Sequence, residues 1–174
     1  TSKQQFAIEF ECEFLGSVDT LISAAKLKAL VYEQPVEQNG KLSIYERPFE
    51  KRDYIVTVDV ARGISKDYSA FIVADITEFP YKVVATYRDN EVKPMIFPSI
   101  IYDVAKGYNN AYVLCEVNDI GDQVASILFY DLEYENLLMV AMRGRAGQIV
   151  GSGFSGVKTQ LGVKMSQVTK KLGC

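Results

Sequence analysis

The chain has 174 residues, of which 48% are hydrophobic and 24% charged, with a formal net charge of −3. A chain of this size buries one core with little room for a second, and it contains no apolar run long enough to span a membrane. The absence of histidine excludes histidine-based catalytic triads and imidazole-ligated metals. The three cysteines, Cys12, Cys115 and Cys174, are irregularly spaced, so we expect reduced thiols, with Cys12 and Cys115 in the core.

The first 50 residues are expected to form two helices and a linker. Three phenylalanines recur every four residues and, although the same stretch also alternates as a strand would, the capping pattern at Ser2 favours a helix over residues 3–15. A second, short helix is predicted over residues 20–32. Residues 33–50 are polar, which predicts a linker with a small hairpin at Asn39-Gly40.

The next 90 residues alternate between strand and helix patterns. Strand-like runs over residues 54–59, 69–75 and 81–87 predict an antiparallel meander. A helix, a buried strand, an amphipathic helix and another strand are then predicted over residues 94–108, 111–117, 121–134 and 137–141. The order βββαβαβ indicates an α/β domain whose first and fourth strands lie side by side.

The segment from Ala141 to Cys174 differs from the rest in charge. It holds six of the 19 basic residues and none of the 22 acidic ones, which leaves a net charge of −9 on the preceding 140 residues. A Gly- and Ser-rich loop over residues 144–156 and a last helix from near Leu161 or Gly162 are predicted within it. Such a segment suits a polyanion; the alternative is a solvated surface whose charge partners lie elsewhere. The candidates for DNA contacts are Arg143, Arg145, Lys158 and Lys164.

Two carboxylates end predicted strands that lie side by side. Asp59 ends the first strand and Glu116 the fourth, so both can converge on one point. Oxygen ligands suit Mg²⁺, and a pair of such ions activates a water and stabilises the leaving oxygen of a phosphodiester. Asp67 is a further candidate ligand after the turn that Gly63 permits. The alternative interpretation is that each acidic residue forms a turn at the end of its strand.

A family resemblance supports the catalytic interpretation. The stretch Asp59-Val-Ala-Arg-Gly63-Ile-Ser-Lys-Asp67-Tyr68-Ser69-Ala70 resembles the first catalytic motif of the large terminase subunit of T-even-like tailed bacteriophages. The resemblance spans nearly the whole chain in the family's order, which makes it more specific than any single motif. Further matches are Glu11-Cys-Glu-Phe-Leu-Gly-Ser17, Leu114-Cys-Glu116-Val-Asn118, Asp131-Leu-Glu-Tyr-Glu135, Gly162-Val-Lys-Met-Ser166 and Lys170-Lys-Leu-Gly-Cys174.

The resemblance implies a domain organisation and a ligand set. Residues 1–32 correspond to the tail of an ATPase region, residues 33–50 to a linker, and residues 51–174 to an RNase H-like nuclease domain that lacks its C-terminal part. Asp59 matches the first metal-binding aspartate and Glu116 the second acidic ligand, with Mg²⁺ or Mn²⁺ as the cofactor. The family's third essential aspartate lies on a later helix that this sequence does not reach, so we expect the isolated chain to be inactive.

The resemblance also implies a biological setting. In that family an ATPase motor packages concatemeric double-stranded DNA into the prohead, and the nuclease cuts it during headful packaging. The implied partners are DNA, the portal protein, the small terminase subunit and further copies in a ring on the portal, in the host cytoplasm and absent from the mature virion. The phosphate loop of the ATPase is absent from the sequence, so no ATP-binding residue is predicted here.

Three other interpretations stay open on the sequence alone. Another RNase H-like nuclease, of the resolvase, transposase or exonuclease type, would share the fold and the metal chemistry. An actin-like or sugar-kinase ATPase places a similar aspartate turn around nucleotide phosphates, but it needs a second, duplicated domain. A docking module for the portal or the small terminase would need no catalysis, so its binding would survive the loss of Glu116.

Overall fold

A computed structural model describes residue 29 and residues 33–62, 67–141, 148–151 and 158–164 of the chain. The chain divides into two compact units, residues 1–34 and 35–174, and every element described below lies in the second. Its main sheet consists of β1 (Glu37–Asn39), β2 (Leu42–Ile44), β3 (Tyr54–Asp59), β4 (Ser69–Asp75), β5 (Lys82–Asp89) and β6 (Tyr112–Cys115). The strand order is β1-β2-β5-β4-β3-β6, and β3 and β6 are the parallel pair of this otherwise antiparallel sheet.

Two helices and a small second sheet complete the described part. Helix α1 (Phe97–Gly107) connects β5 to β6, and helix α2 (Gly121–Ser126) follows β6 and continues into a π-helical turn (Ile127–Asp131). The second sheet has β7 (Met139–Ala141) between β8 (Ile149–Val150) and β9 (Thr159–Leu161). None of the described helices has the length and apolar character that a membrane span requires.

The core lies between one face of the main sheet and the helices α1 and α2 with the π-helical turn. Buried positions in β3 alternate with partly exposed ones, as expected of a strand with one buried face. Helix α1 contributes Phe97, Ile101 and Ala105, which recur at i, i+4 and i+8 on one side of the helix and are fully buried. The ring of Phe97 stacks on those of Phe71 and Tyr87, with centroid distances of 6.1 and 5.7 Å. These contacts join α1 to β4 and β5.

The predicted α/β architecture is confirmed. Strands β3 and β4 have the predicted bounds, and β5 follows them in an antiparallel meander. The first strand of the meander lies between β4 and β6, as the side-by-side placement of Asp59 and Glu116 requires. Cys115 is buried and free, as predicted. The predicted helix over residues 3–15, the one over residues 20–32 apart from residue 29, and Cys12 and Cys174 lie outside the described residues.

The polar segment predicted as a linker contains more structure than expected. The hairpin at Asn39-Gly40 is confirmed, with Gly40 at φ +60°. Its strand β2 pairs with β5, and Leu42 and Ile44 pack against the core. The hairpin therefore extends the main sheet instead of standing apart from it.

Three predicted elements beyond β5 differ from the structure. Helix α1 begins at Phe97 rather than residue 94, because a turn is closed by the amide of Ile96 donating to the carbonyl of Lys93 at 2.9 Å. The predicted helix over residues 121–134 is α-helical only to Ser126. The predicted strand over residues 137–141 is present, but β7 belongs to the second sheet, and only Leu137 pairs with β6.

Two secondary-structure predictions for the C-terminal segment are wrong within the described residues. Part of the predicted Gly- and Ser-rich loop forms β8, which pairs with β7. The last helix does not begin near Leu161 or Gly162, because Leu161 ends β9 and Gly162 has φ +62°, outside the helical region. A side chain at position 162 would also meet the carbonyl oxygen of Cys115 at 2.2 Å, so this glycine permits a close approach of backbones.

Candidate active site

The parallel strands β3 and β6 bring two carboxylates to the same end of the main sheet. Val58 pairs with Cys115, and the amide of Glu116 donates to the carbonyl oxygen of Val58 at 2.9 Å. This pairing makes Asp59 and Glu116 neighbours across the two strands. Because side chains alternate between the faces of a sheet, both carboxylates lie on one face, opposite the buried Val58 and Cys115.

The two faces at this end differ in their access to water. Asp59 is exposed and Glu116 is half-buried, whereas the thiol of Cys115 is fully buried. Burial raises the pKa of Cys115 to about 12, and the negative charges of Glu116, Asp59 and Asp122 add to the rise. The thiol is therefore protonated at neutral pH and unsuited to bind a metal, which leaves the carboxylate oxygens as the available ligands.

A tight turn after β6 holds Glu116 in place. The carboxylate of Glu116 accepts a hydrogen bond from the side-chain amide of Asn118. The amide of Gly121 closes the turn by donating to the carbonyl of Asn118 at 3.1 Å. A Cβ atom at Gly121 would come within 1.9 Å of the carbonyl oxygen of Glu116, so the turn requires glycine.

An ion pair links the segments that follow the two carboxylates. Arg62 lies three residues after Asp59, and Asp119 lies three residues after Glu116. The guanidinium donates through Nε to Oδ2 of Asp119, and through Nη2 to Oδ1 at 2.7 Å. This hydrogen bonding lowers the pKa of Asp119 and raises that of Arg62. The pair borders a cavity of about 390 Å³ that is lined by Asp59, Val60, Ala61, Arg62, Asp67, Tyr68 and Asp119.

The carboxylates at this end fit a hard divalent cation. Asp59 and Asp67 line the same cavity, and Asp59 and Glu116 are neighbours at the strand ends. Within the described part of the chain, no group of three or more acidic or cysteine side chains is arranged to hold a metal ion. Mg²⁺ usually takes one or two carboxylates from a protein and keeps several waters, so two carboxylates match the number of protein ligands that it needs. The roles of Asp59, Glu116 and Asp67 as metal ligands stay predictions.

The described part of the basic C-terminal segment reaches the same strand end. Val163 pairs in parallel with Glu116. The amide of Val163 donates to the carbonyl of Cys115 at 2.8 Å, and its carbonyl accepts from the amide of Val117 at 3.0 Å. Lys164 therefore lies one residue beyond the pairing partner of Glu116.

The four candidates for DNA contacts divide into two groups. Lys158, directly before β9, and Lys164 are both exposed. Arg143 and Arg145 lie outside the described residues. DNA contact by each of the four stays a prediction.

Comparison with known families decides which kind of RNase H-like protein this is. Residues 56–171, more than half of the chain, match the family described as "Terminase RNaseH-like domain". The chain belongs to this family. The RNase H-like fold and the large-terminase assignment that the sequence motifs implied are thereby confirmed.

The terminase RNase H-like domain is also similar to solved structures. The large terminase nuclease of thermophilic phage G20c with bound cobalt is 24% identical, over 59% of this chain and 50% of that chain, with a TM-score of 0.49. Its magnesium-bound form is 22% identical, over 59% and 51%, with the same TM-score of 0.49. The nuclease domain of the Thermus phage P74-26 large terminase is 14% identical, over 68% and 80%, with a TM-score of 0.42. The chain thus spans about half the length of the metal-bound G20c chains.

Several polar residues of this terminase domain were missed by the sequence interpretation. The polar side chains beside Asp59 and Glu116 include Arg62, Asn118 and Asp119. The sequence motifs were interpreted only for their acidic ligands. Arg88 also lies nearby, because its guanidinium covers the ring of the cavity residue Tyr68 at 3.7 Å from the centroid. Their positions in the sequence could have indicated them, because Arg62 and Asp119 each lie three residues beyond a predicted ligand.

Proposed function

We propose that this chain is the nuclease part of a large terminase subunit, and that the complete protein uses it as an endonuclease on concatemeric double-stranded DNA during headful packaging. The observation that carries the proposal is the placement of Asp59 and Glu116 on one face, at neighbouring ends of parallel strands, in a member of the terminase RNase H-like family. That family membership also weighs against a resolvase, a transposase or a sugar kinase. A docking role without catalysis would not explain why the two carboxylates lie together.

Asp59 and Glu116 would hold a divalent cation, Mg²⁺ or Mn²⁺, with Asp67 as a further candidate ligand. A cation held there would activate a water and neutralise charge that develops at the phosphodiester. The protein contributes orientation: β3 and β6 hold the two carboxylates, and the hydrogen bond from Asn118 fixes the rotation of the Glu116 carboxylate.

DNA would approach along the basic C-terminal segment. The pairing of Val163 with Glu116 supports this direction, because it brings the described end of the segment to the strand that carries the second ligand. Lysines and arginines bind phosphates without regard to base sequence, which suits an enzyme that cuts when the capsid is full. The proposed contacts are Arg143, Arg145, Lys158 and Lys164.

The remaining assignments concern the parent protein. ATP would be hydrolysed by a motor region outside this chain, of which residues 1–32 would be the tail. Since the hairpin β1–β2 belongs to the main sheet, the nuclease domain would begin near residue 35. The portal protein, the small terminase subunit and a ring of further copies would be its partners, at the prohead portal in the host cytoplasm.

The proposed function is tested by removing one ligand charge at a time. In the full-length gene product, Asp59→Asn or Glu116→Gln should lower the rate of plasmid cleavage in Mg²⁺ at least about 100-fold, because even groups that only support metal ligands contribute about 10- to 100-fold. ATP hydrolysis should persist in both variants. Gel assays of cleavage and a phosphate-release assay measure the two activities.

Asp53→Asn provides the matched control. Asp53 is an exposed aspartate directly before the opposite end of the same strand, β3, so its substitution should leave cleavage unchanged. Cleavage at the parental rate by either ligand variant would exclude the proposed metal site.

A further inference from the structure

We propose that Arg62 binds a DNA phosphate beside Asp59 and Glu116, and that Asp119 is the residue that positions it. The inference rests on the proposed nuclease function, which needs a means of bringing a phosphodiester to a group of acidic side chains. The Arg62–Asp119 pair joins the two segments that leave the ends of β3 and β6.

The hydrogen bonds of Arg62 leave much of its guanidinium free to bind a ligand. A guanidinium has five N–H donors in a planar fork. Asp119 accepts one from Nε and one from Nη2. The second donor on Nη2 and both donors on Nη1 have no partner among the described residues, and the side chain is 64% exposed. That free edge matches the two oxygens of a phosphate, which arginine binds through parallel hydrogen bonds.

The acidic lining of the cavity explains why a phosphate needs a positively charged side chain there. Asp59, Asp67 and Asp119 line it, and Arg62 is the one basic residue among the described lining residues. A phosphate that entered would be repelled by the carboxylates unless a positive charge offset them. Arg62 also borders a second open cavity with Asp122, so a phosphate in either cavity can reach it.

The backbone on both sides of the pair is held in place. The hydroxyl of the buried Ser69 accepts a hydrogen bond from the amide of Ala61 at 3.1 Å and donates to the carbonyl of Ala61 at 3.2 Å. Asp119 lies in the turn that the amide of Gly121 closes by donating to the carbonyl of Asn118 at 3.1 Å. Arg62 is therefore presented from a fixed position and oriented before DNA arrives, which reduces the entropy lost on binding.

Steady-state cleavage by variants of the full-length gene product tests both roles. Arg62→Ala should lower kcat/KM about 10- to 100-fold, the effect of losing hydrogen bonds to a charged group. Asp119→Asn should lower it less, about 3- to 10-fold, because the guanidinium remains but is no longer oriented. In the Arg62→Ala background, Asp119→Asn should have no further effect, since both act through one contact.

A binding measurement separates phosphate contact from a structural role. With duplex DNA in EDTA, where no cleavage occurs, Arg62→Ala should reduce the slope of log affinity against log salt by about 0.9, the value of one phosphate contact. Arg52→Ala is the control, because Arg52 forms the corresponding pair with Asp75 at the other end of the sheet. It should change neither the slope nor kcat/KM.

The possible failures are distinguishable. Parental kcat/KM and salt slope in Arg62→Ala, with Asp59→Asn inactive, would overturn the role of Arg62 and leave the nuclease function standing. Parental cleavage rates in both Arg62→Ala and Asp59→Asn would overturn the proposed metal site, and absence of cleavage by the unsubstituted full-length protein would overturn the nuclease function itself. Independent losses in the Arg62 and Asp119 double variant would overturn positioning by Asp119.

Discussion

Two arginine–aspartate ion pairs lie at opposite ends of the main sheet and differ in what surrounds them. At one end, the side chains of Arg62 and Asp119 are 64% and 55% exposed. At the other end, Arg52 donates to Asp75 at 2.5 Å, and the Asp75 side chain is only 7% exposed. Asp75 also accepts a hydrogen bond from the amide of Thr77 at 3.0 Å. The carboxylate is therefore buried in the Arg52–Asp75 pair and exposed in the Arg62–Asp119 pair.

The comparison separates stability from function in physical terms. A buried carboxylate must have its hydrogen-bond acceptors satisfied, so the Arg52–Asp75 pair belongs to the structural end of the sheet, together with Thr77. An exposed pair adds little to stability, because water competes for both partners. We call the sheet end with the Arg62–Asp119 pair the functional end, because the proposed metal ligands Asp59 and Glu116 lie there.

The largest expected effect on stability comes from the glycine that holds the functional end. Gly121→Ala would place a Cβ atom within 1.9 Å of the Glu116 carbonyl oxygen, and relief of this clash should cost about 3 kcal/mol of unfolding free energy. Gly107→Ala is the matched control near the structural end, because a Cβ atom there meets nothing within 4 Å. That substitution should be neutral or stabilise by up to about 1 kcal/mol. Urea denaturation followed by circular dichroism measures both.

Equal stability of the two glycine variants would contradict the tight turn at Glu116. A smaller loss in Gly121→Ala that is accompanied by a large loss of cleavage would sharpen the comparison. It would mean that the turn yields and carries the Glu116 carboxylate out of position.

A smaller effect is expected at the structural end, and it depends on pH. Although burial raises the pKa of Asp75, hydrogen bonds from Thr77 and Arg52 outweigh it and lower the pKa overall. The charged form is thus favoured by folding, and Asp75→Asn should cost about 1.5 kcal/mol at pH 6–8. Because a lowered pKa gives stability above the unfolded value of about 3.9, the difference from wild type should narrow as the pH falls below about 4.

Asp119→Asn is the counterpart at the functional end and should leave the denaturation midpoint unchanged at every pH, since that pair is exposed. Denaturation series at several pH values measure both aspartate variants. If Asp119→Asn destabilised the fold as much as Asp75→Asn, the division into a structural and a functional end would be wrong.

Secondary structure was predicted best where one buried face makes apolar and polar residues alternate. In β3 and β4, buried and partly exposed residues alternate along the strands, so their bounds could be predicted from hydrophobicity alone. Asp59 and Glu116 could be singled out because each ends such an apolar run.

The elements that the sequence did not predict depend on contacts between distant segments. Strand β2 is short and only half-buried, so nothing in its composition indicated that it extends the main sheet through β5. Strand β8 is two residues long within a Gly-rich segment, and its pairing with β7 determines its conformation. The partners Arg62 and Asp119 are 57 residues apart in the chain and meet only because β3 and β6 are neighbours.

The central claim, that Asp59 and Glu116 bind one divalent cation together, is tested most directly by anomalous diffraction from crystals of the full-length gene product soaked in Mn²⁺. An anomalous peak is expected within about 2.5 Å of a carboxylate oxygen of each residue, with waters completing the coordination. The same soak of an Asp59→Asn crystal should lose the peak. Mn²⁺ bound to neither residue, or the two carboxylates on opposite faces of the sheet, would contradict binding of one cation by both residues.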